Sequence, residues 1–199
     1  EAVLALADGR VFRGRAFGAR GERVGEVVFN TSMTGYQEIL SDPSYCGQIV
    51  VMTSPEIGNV GTNAADAESG GPQVEGFAVR ELSPAPSSWR STQALPEFLS
   101  EHGIPGIAEV DTRAITRHLR ARGVLNGVIS SVRSDADVLT RTAREAPDLS
   151  ALDLVSRVTC AATRNWDAPR EAPWTTPLDG ATDHPRVRCV AYDFGAKRN

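Results

Sequence analysis

Short apolar runs alternate with capped helices in the middle of this chain, and this alternation constrains the fold more than any other feature. The apolar runs at 104–110 and 124–132 have the length and composition of strands. Asp111 follows the first run as the N-cap of a helix at 112–122, and a second helix covers 135–145. Strands that alternate with helices predict the α/β (mixed α+β) fold class, in which helices pack on a sheet.

The amino-terminal residues predict a β-hairpin and a third strand. The apolar runs at 3–6 and 11–17 flank Asp8-Gly9, a dipeptide that suits the positive φ angles of a tight hairpin turn. A further apolar run at 25–30 follows. Antiparallel strands should therefore open the fold.

Turn and helix signals then follow closely on one another. Thr34 and Gln37 have the spacing of a capping box at the start of a helix. The Asp-Pro-Ser-Tyr sequence at 42–45 predicts a turn, 48–53 a strand, and the glycine-rich stretch at 55–63 a loop. Further on, the pattern predicts a strand at 74–82 and a helix at 92–102, ended by Gly103.

The residue pattern changes near the carboxyl end of the sequence. Prolines punctuate 166–185, where neither helical nor strand periodicity is present, so this stretch predicts an extended connection. The apolar run at 187–194 then predicts a buried strand that enters a glycine turn, as at the start of an α/β domain. Without further strands beside it, we expect this run to pair along a sheet edge, of its own domain or of a neighbouring copy, or to pack its aromatic side chains against another chain.

Composition narrows the classes of function. The formal net charge of −4 over 199 residues gives no support for a nucleic-acid partner, because phosphates favour a basic surface. No apolar run approaches the roughly 20 residues that a bilayer requires, and the first residues lack the basic region of a signal peptide. We therefore expect a soluble cytoplasmic protein with no membrane partner.

The cysteines and histidines predict neither a disulfide framework nor a metal site. Cys46, Cys160 and Cys189 are odd in number and scattered, and no CxxC or HExxH spacing is present. Cys189 lies inside the predicted apolar strand, where we expect it to be buried and without a base to activate it. No cysteine is therefore expected to be catalytic.

Three stretches carry a resemblance to a known family. They are the long segment at 25–45, which includes Gly-Glu-Val-Val-Phe-Asn-Thr-Ser-Met-Thr-Gly-Tyr-Gln-Glu, the segment at 57–63, and the segment at 190–199. A fourth segment at 108–113 also matches. In identity, order and spacing the whole chain resembles the small subunit of carbamoyl-phosphate synthetase.

The resemblance implies part of a glutamine-dependent ligase. It implies a swivelling β/β/α-type amino-terminal domain at 1–150, a connection at 151–186 and, at 187–199, the first strand of a truncated class I glutamine amidotransferase domain. In the family that domain hydrolyses glutamine through a Cys-His-Glu triad. Ammonia then passes through a tunnel to the large subunit, which uses bicarbonate, ATP and Mg to make carbamoyl phosphate for arginine and pyrimidine biosynthesis.

The resemblance also implies that this chain contributes contacts rather than catalysis. Its expected partners are the large subunit, in a heterodimer, and L-glutamine in the complete subunit. It implies no cofactor bound by this chain and no catalytic residue within it. Ser44 is the one candidate site residue, because in the family the serine of this turn hydrogen-bonds glutamine. The alternative for Ser44 is a turn serine that bonds its own backbone.

Other candidates have structural explanations that we favour. Tyr36 and Glu38 suggest catalysis, but a helix whose Tyr36 enters the core explains them as well. The glycines at 58–61 lack the setting of a phosphate-binding loop and predict a turn. Asp193 and Lys197 are expected to have structural roles, not catalytic ones, in the turn after the last predicted strand.

One helix face has two open interpretations. Arg113, Arg117 and Arg120 share a face of the helix at 112–122, opposite Ile115 and Leu119. They form a solvated surface, or they meet an acidic partner such as the large subunit.

Two other functions remain as alternatives. A self-contained hydrolase would need a Ser/His/Asp set, but no GxSxG motif is present. A nucleic-acid-binding module could use the arginine helix, but the net charge is negative.

Overall fold

The computed structural model describes residues 1–166 and 188–198. Strands β1 (Ala2–Leu6) and β2 (Val11–Gly18) form the predicted antiparallel hairpin, and β3 (Glu22–Asn30) follows. Gly9 lies in the hairpin turn with a φ of 97°, a conformation that suits glycine. The hairpin prediction is confirmed.

Helix α1 (Tyr36–Ser41) begins without the predicted capping box. Gly35 is its N-cap, and no side chain caps the helix. The Gln37 carboxamide instead accepts a hydrogen bond from the Asn63 backbone N–H, at 2.9 Å, and donates one to the Asn63 carbonyl. The capping-box prediction was wrong because this contact with a distant loop takes the side chain of Gln37.

The predicted turn and strand after α1 are present. A 3₁₀ turn (Pro43–Tyr45) leads into β4 (Gln48–Met52). The stretch predicted as a loop at 55–63 contains a short strand, β5 (Glu56–Ile57). The single strand predicted at 74–82 divides into β6 (Gly76–Ala78), which joins the main sheet, and β7 (Glu81–Leu82), which pairs with β5 in parallel.

The later elements follow the predicted alternation. Helix α2 (Leu95–Glu101) starts later than expected, because Thr62 and Gln93 form an antiparallel bridge and Pro96 favours the first helical turn. The elements that follow are β8 (Pro105–Ala108), α3 (Thr112–Arg122), β9 (Leu125–Ser130), α4 (Ala136–Glu145), a 3₁₀ turn (Leu149–Ala151) and α5 (Val155–Val158). The sequence predicted α3 at its observed bounds.

Seven strands close into a barrel in the order β1-β2-β8-β6-β4-β3-β9. The hairpin joins β1 and β2 in an antiparallel pair, and β9 pairs antiparallel with both β1 and β3, as β8 does with β2. Crossovers join the parallel pairs, which are β3 with β4, β4 with β6 and β6 with β8. The mixed α/β class is thus confirmed. The closure of the sheet into a barrel has no counterpart in the sequence prediction.

Alternate residues of the strands fill the barrel, since side chains point to opposite faces along a strand. Leu4, Val27, Ile49, Ile107 and Ile129 belong to this inner cluster, which Ile115 and Leu119 of α3 complete. The opposite strand faces pack against helices outside the barrel. Residues of α2 join one outer cluster and residues of α4 another.

The predicted strand at the carboxyl end is absent. Residues 188–198 form no strand, and Val190, Tyr192 and Phe194 are exposed. The expectation that this run pairs along a sheet edge was wrong for this sheet, because a closed barrel offers no free edge. Cys189 is also exposed, contrary to its predicted burial. Most of the predicted connection at 166–185 lies outside the described residues, and the domain boundaries stay predictions.

Candidate functional site

The turn that carries Ser44 connects α1 to β4 and is held by its own hydrogen bonds. The backbone N–H of Ser44 donates to Asp42 Oδ1 at 2.9 Å, and that of Tyr45 donates to the Asp42 carbonyl at 3.0 Å. Pro43 fixes the first position of the turn. Asp42 and Pro43 are buried, whereas Ser44 is exposed. Ser44 is therefore exposed on an ordered turn, and its side chain, like its backbone N–H, hydrogen-bonds the Asp42 carboxylate.

The second oxygen of Asp42 joins this turn to the carboxyl-terminal segment of the described chain. Lys197 Nζ lies 2.6 Å from Asp42 Oδ2. Burial by itself would raise the pKa of Asp42, but the hydrogen bonds from Lys197 and from Ser44 outweigh it and lower the pKa. The carboxylate is therefore charged at neutral pH and bridges the ammonium group and the turn.

Backbone contacts hold the segment that carries Lys197. The Arg198 N–H donates to the Glu68 carbonyl at 2.8 Å. A Cβ on Gly195 would lie 3.3 Å from Pro43 Cβ, so this glycine permits a close approach to the turn. Asp193 Oδ1 accepts from the Gly195 N–H at 2.9 Å and stabilises the bend. These contacts are consistent with the structural roles that the sequence predicts for Asp193 and Lys197.

Tyr36 is part of the core beneath this turn. Its side chain is 2% exposed, and its hydroxyl donates to the Gly61 carbonyl at 2.8 Å and accepts from the Val60 N–H at 3.1 Å. Burial raises the pKa of Tyr36 to about 12, so the phenol is neutral at physiological pH. The structural interpretation of Tyr36 is confirmed, and the positive φ angles of Gly58 and Gly61 confirm the predicted glycine turn.

Glu38 lies on the more open side of α1, among other acids. Burial and the nearby charges of Asp66 and Glu68 raise its pKa. Arg90 pairs with Asp66 at 2.7 Å and partly offsets this negative charge. Sequence reasoning did not foresee this cluster, because its members come from α1 and from two loops with no common motif.

The three cysteines of the described chain differ in exposure, and burial dominates the environment of Cys46. Cys46 is buried, and burial raises the pKa of its thiol. Cys160 and Cys189 are exposed. A nucleophilic thiolate requires a lowered pKa and a nearby base, and Cys46 has the opposite environment.

Two of the histidines have partners other than serine. His118 Nε2 lies 2.6 Å from Asp8 Oδ2, and Arg10 approaches its Nδ1 at 3.2 Å. His102 Nδ1 lies 2.8 Å from the Phe98 carbonyl. Within residues 1–166 and 188–198, no Ser/His/Asp set of the hydrolase type is therefore assembled. The contact between Asp8 and His118 joins residues far apart in sequence, and no local signal predicts it.

Two kinds of feature are absent from the described residues. No group of three or more His, Cys, Asp or Glu side chains there is arranged to hold a metal ion. In that same part of the chain, no helix combines the length and the apolar character needed to cross a membrane.

Comparison with known proteins gives consistent matches along the whole chain. The family model "Carbamoyl-phosphate synthase small chain, CPSase domain" matches residues 4–129. The carbamoyl phosphate synthase small chain of Syntrophotalea carbinolica is 55% identical over 100% of this chain and 53% of its own length. Those of Nitratidesulfovibrio vulgaris (strain Miyazaki F) and a Nostoc species are each 50% identical over 100% of this chain, and over 54% and 51% of their own lengths. The chain therefore spans about half the length of these curated relatives.

The similarity to solved structures is weaker than the similarity in sequence to the curated relatives. An aminopeptidase from an Aneurinibacillus species covers 65% of this chain, and this chain covers 30% of it, with 16% identity and a TM-score of 0.38. This likeness carries no argument about fold or function.

Proposed function

The chain belongs to the carbamoyl-phosphate synthase small chain family, and from this premise we propose that it forms the amino-terminal half of a small chain that delivers ammonia from glutamine to the large chain of the synthase. The observation that carries the proposal is the 55% identity to the Syntrophotalea carbinolica small chain over the whole of this chain. The complete enzyme is then a cytoplasmic heterodimeric ligase. Its large chain makes carbamoyl phosphate from bicarbonate and ATP with Mg, for arginine and pyrimidine biosynthesis.

In this proposal Ser44 contacts glutamine and does not react with it. Three features support this role: Ser44 is exposed, its turn is ordered by Asp42, and Lys197 fixes Asp42 from the other side. A hydroxyl both donates and accepts hydrogen bonds, which suits a ligand that carries an ammonium and a carboxylate group. An ordered turn also lowers the entropy cost of holding the hydroxyl in place.

The hydrolytic step belongs to residues outside this chain. The family's Cys-His-Glu triad is not matched by Cys46, Cys160 or Cys189, because none of them has a glycine on both sides as an amidotransferase nucleophile does; Cys46 has Gly47 after it but Tyr45 before it. We therefore expect the isolated chain to hydrolyse no glutamine. Glutamine turnover by the purified chain that a Cys46→Ser, Cys160→Ser or Cys189→Ser change abolishes would contradict this expectation.

The proposed function is tested on the complete small chain that contains this sequence, assembled with the large chain. Carbamoyl phosphate formation is measured with glutamine and, separately, with ammonia as the nitrogen donor. We expect both donors to support synthesis by the assembly, and only ammonia to support synthesis by the large chain alone. Failure of the small chain to confer the use of glutamine would overturn the proposal.

A further inference from the structure

One face of α3 carries positive charge without any negative charge. Arg113, Arg117 and Arg120 are exposed, and their spacing places them on one side of the helix. None of the three forms an ion pair or a side-chain hydrogen bond within the part of the chain that the structure describes. We call these three residues the α3 arginine face.

The acids closest in sequence or contact to α3 are already engaged. Asp111 caps the helix through the Ala114 N–H at 2.9 Å. Asp8 lies 2.6 Å from His118, and Glu109 pairs with Arg15 at 2.6 Å. None of these three carboxylates forms an ion pair with the α3 arginine face.

The stability of the helix does not explain this arrangement. Like charges three or four residues apart repel each other, as Arg113 and Arg117 do. Arg113 also lies in the first turn, where the helix dipole favours an acid. By contrast, Arg141 on α4 has Asp137 four residues before it and Glu145 four residues after it, the mixed pattern of a solvated surface.

We propose that the α3 arginine face docks on a carboxylate-rich surface of the large chain, an inference that rests on the proposed function. Guanidinium groups bind carboxylates through paired, planar hydrogen bonds, and arginine is enriched at protein interfaces. A partner of this chemistry removes the repulsion that the isolated helix retains. The interface therefore explains why three arginines without an ion pair among the described residues share one face.

Two other polyanions fit this face less well. A membrane surface favours a helix that inserts apolar side chains, but Ile115 and Leu119 of α3 are buried against the barrel. A nucleic acid favours a broadly basic surface, but the chain has a formal net charge of −4. A local cluster of positive charge on an acidic protein suits a local cluster of carboxylates.

The test uses the complete small chain and measures its Kd for the large chain at two salt concentrations. The double variant Arg113→Glu/Arg117→Glu is compared with the wild type and with Arg141→Glu, a matched reversal of an exposed helical arginine. We expect the double variant to raise the Kd roughly tenfold or more and to reduce its dependence on salt, whereas Arg141→Glu leaves both nearly unchanged. Far-UV circular dichroism verifies folding, and Arg113→Gln/Arg117→Gln replaces the reversal if the first variant does not fold.

Each other outcome rejects the proposal in a distinct way. A double variant that assembles as tightly as the wild type shows that the face lies outside the interface, while the proposed function stands. A wild type that does not assemble with the large chain rejects the proposed function and this inference together. Wild-type binding to duplex DNA or to vesicles of anionic phospholipid that is lost in the double variant would assign the face to that polyanion instead.

Discussion

Ser44 is the residue on which the proposed contact with glutamine depends. In the complete small chain, Ser44→Ala removes one neutral hydrogen bond and should weaken the use of glutamine by about 1 kcal/mol, mainly through KM. Steady-state kinetics of the assembled enzyme with glutamine measure this change. Synthesis from ammonia should be spared, because ammonia bypasses the glutamine site.

Ser134→Ala is the matched control, since Ser134 is also an exposed serine but lies in the connection between β9 and α4. It should change neither activity. An equal loss of both activities in Ser44→Ala would mean that Ser44 has a structural role in the turn.

Asp42 predicts a dependence of stability on pH. Its pKa is lowered in the folded protein, because the hydrogen bonds from Lys197 and Ser44 outweigh the effect of burial. The stabilisation is therefore present above the ordinary carboxyl value of 3.8 and is lost as the pH falls through the lowered value. Asp42→Asn keeps an oxygen that accepts from the Ser44 N–H but removes the charge. Its free energy of unfolding should therefore be lower than that of the wild type at neutral pH, and this gap in stability should narrow in acid.

Urea unfolding across this pH range measures the gap between the wild type and Asp42→Asn. In a Lys197→Met background the gap should be smaller at neutral pH, because the ammonium partner is gone. A gap that is constant with pH, or that is unaffected by Lys197→Met, would show that this ion pair contributes nothing to stability.

The turn at Ser44 was predictable and the arrangement around it was not. Asp-Pro-Ser-Tyr specifies a turn locally, because proline fixes φ and the aspartate side chain accepts from the backbone two residues later. Lys197 reaches Asp42 across most of the length of the sequence, and Asp8 reaches His118 in the same way. Such contacts depend on the tertiary fold, so the local sequence does not encode them.

Among the elements, helices with strong end signals were predicted best. Helix α3 has its Asp111 cap and its terminal Gly123 where the sequence placed them. The strand predicted at 74–82 divides because only Gly76–Ala78 pair with β4 in the barrel. Just after β6 ends, the Val79 N–H still donates to the Ile107 carbonyl of β8. An apolar run specifies burial, but the register of the sheet decides where pairing ends.

Two hydrogen bonds of the Tyr36 hydroxyl link α1 to the glycine turn at 58–61. Tyr36→Phe removes the acceptor of the Val60 N–H and the donor to the Gly61 carbonyl. Because unsatisfied buried polar groups are costly, the free energy of unfolding should fall by about 1–3 kcal/mol. Chemical denaturation of the variant and the wild type measures this loss.

Tyr45→Phe is the matched control for Tyr36→Phe. The Tyr45 hydroxyl accepts a single hydrogen bond, from Asn30 at 2.9 Å, and the residue is only partly buried. Its loss should cost less. If the two variants were equally stable, the two hydrogen bonds of Tyr36 would not be what holds the Gly58–Gly61 turn.

For the whole molecule, composition and alternation predicted the fold class but not the barrel. Closure requires the first and the last strand of the described chain to meet, as β1 and β9 do, and no single segment records that pairing. Closure also leaves the barrel without a free edge for the run predicted as a strand at 187–194. Val190, Tyr192 and Phe194 of that run are exposed.

A hybrid enzyme would show whether this chain serves as the amino-terminal half of a carbamoyl-phosphate synthase small chain. This chain would replace the matching half of the Syntrophotalea carbinolica small chain, to which it is 55% identical. The hybrid would be assembled with that organism's large chain, and carbamoyl phosphate formation from glutamine would be measured against formation from ammonia. We expect the hybrid to support synthesis from glutamine at a rate comparable to that of the unmodified small chain. A folded hybrid that leaves the large chain able to use ammonia but not glutamine would contradict this expectation.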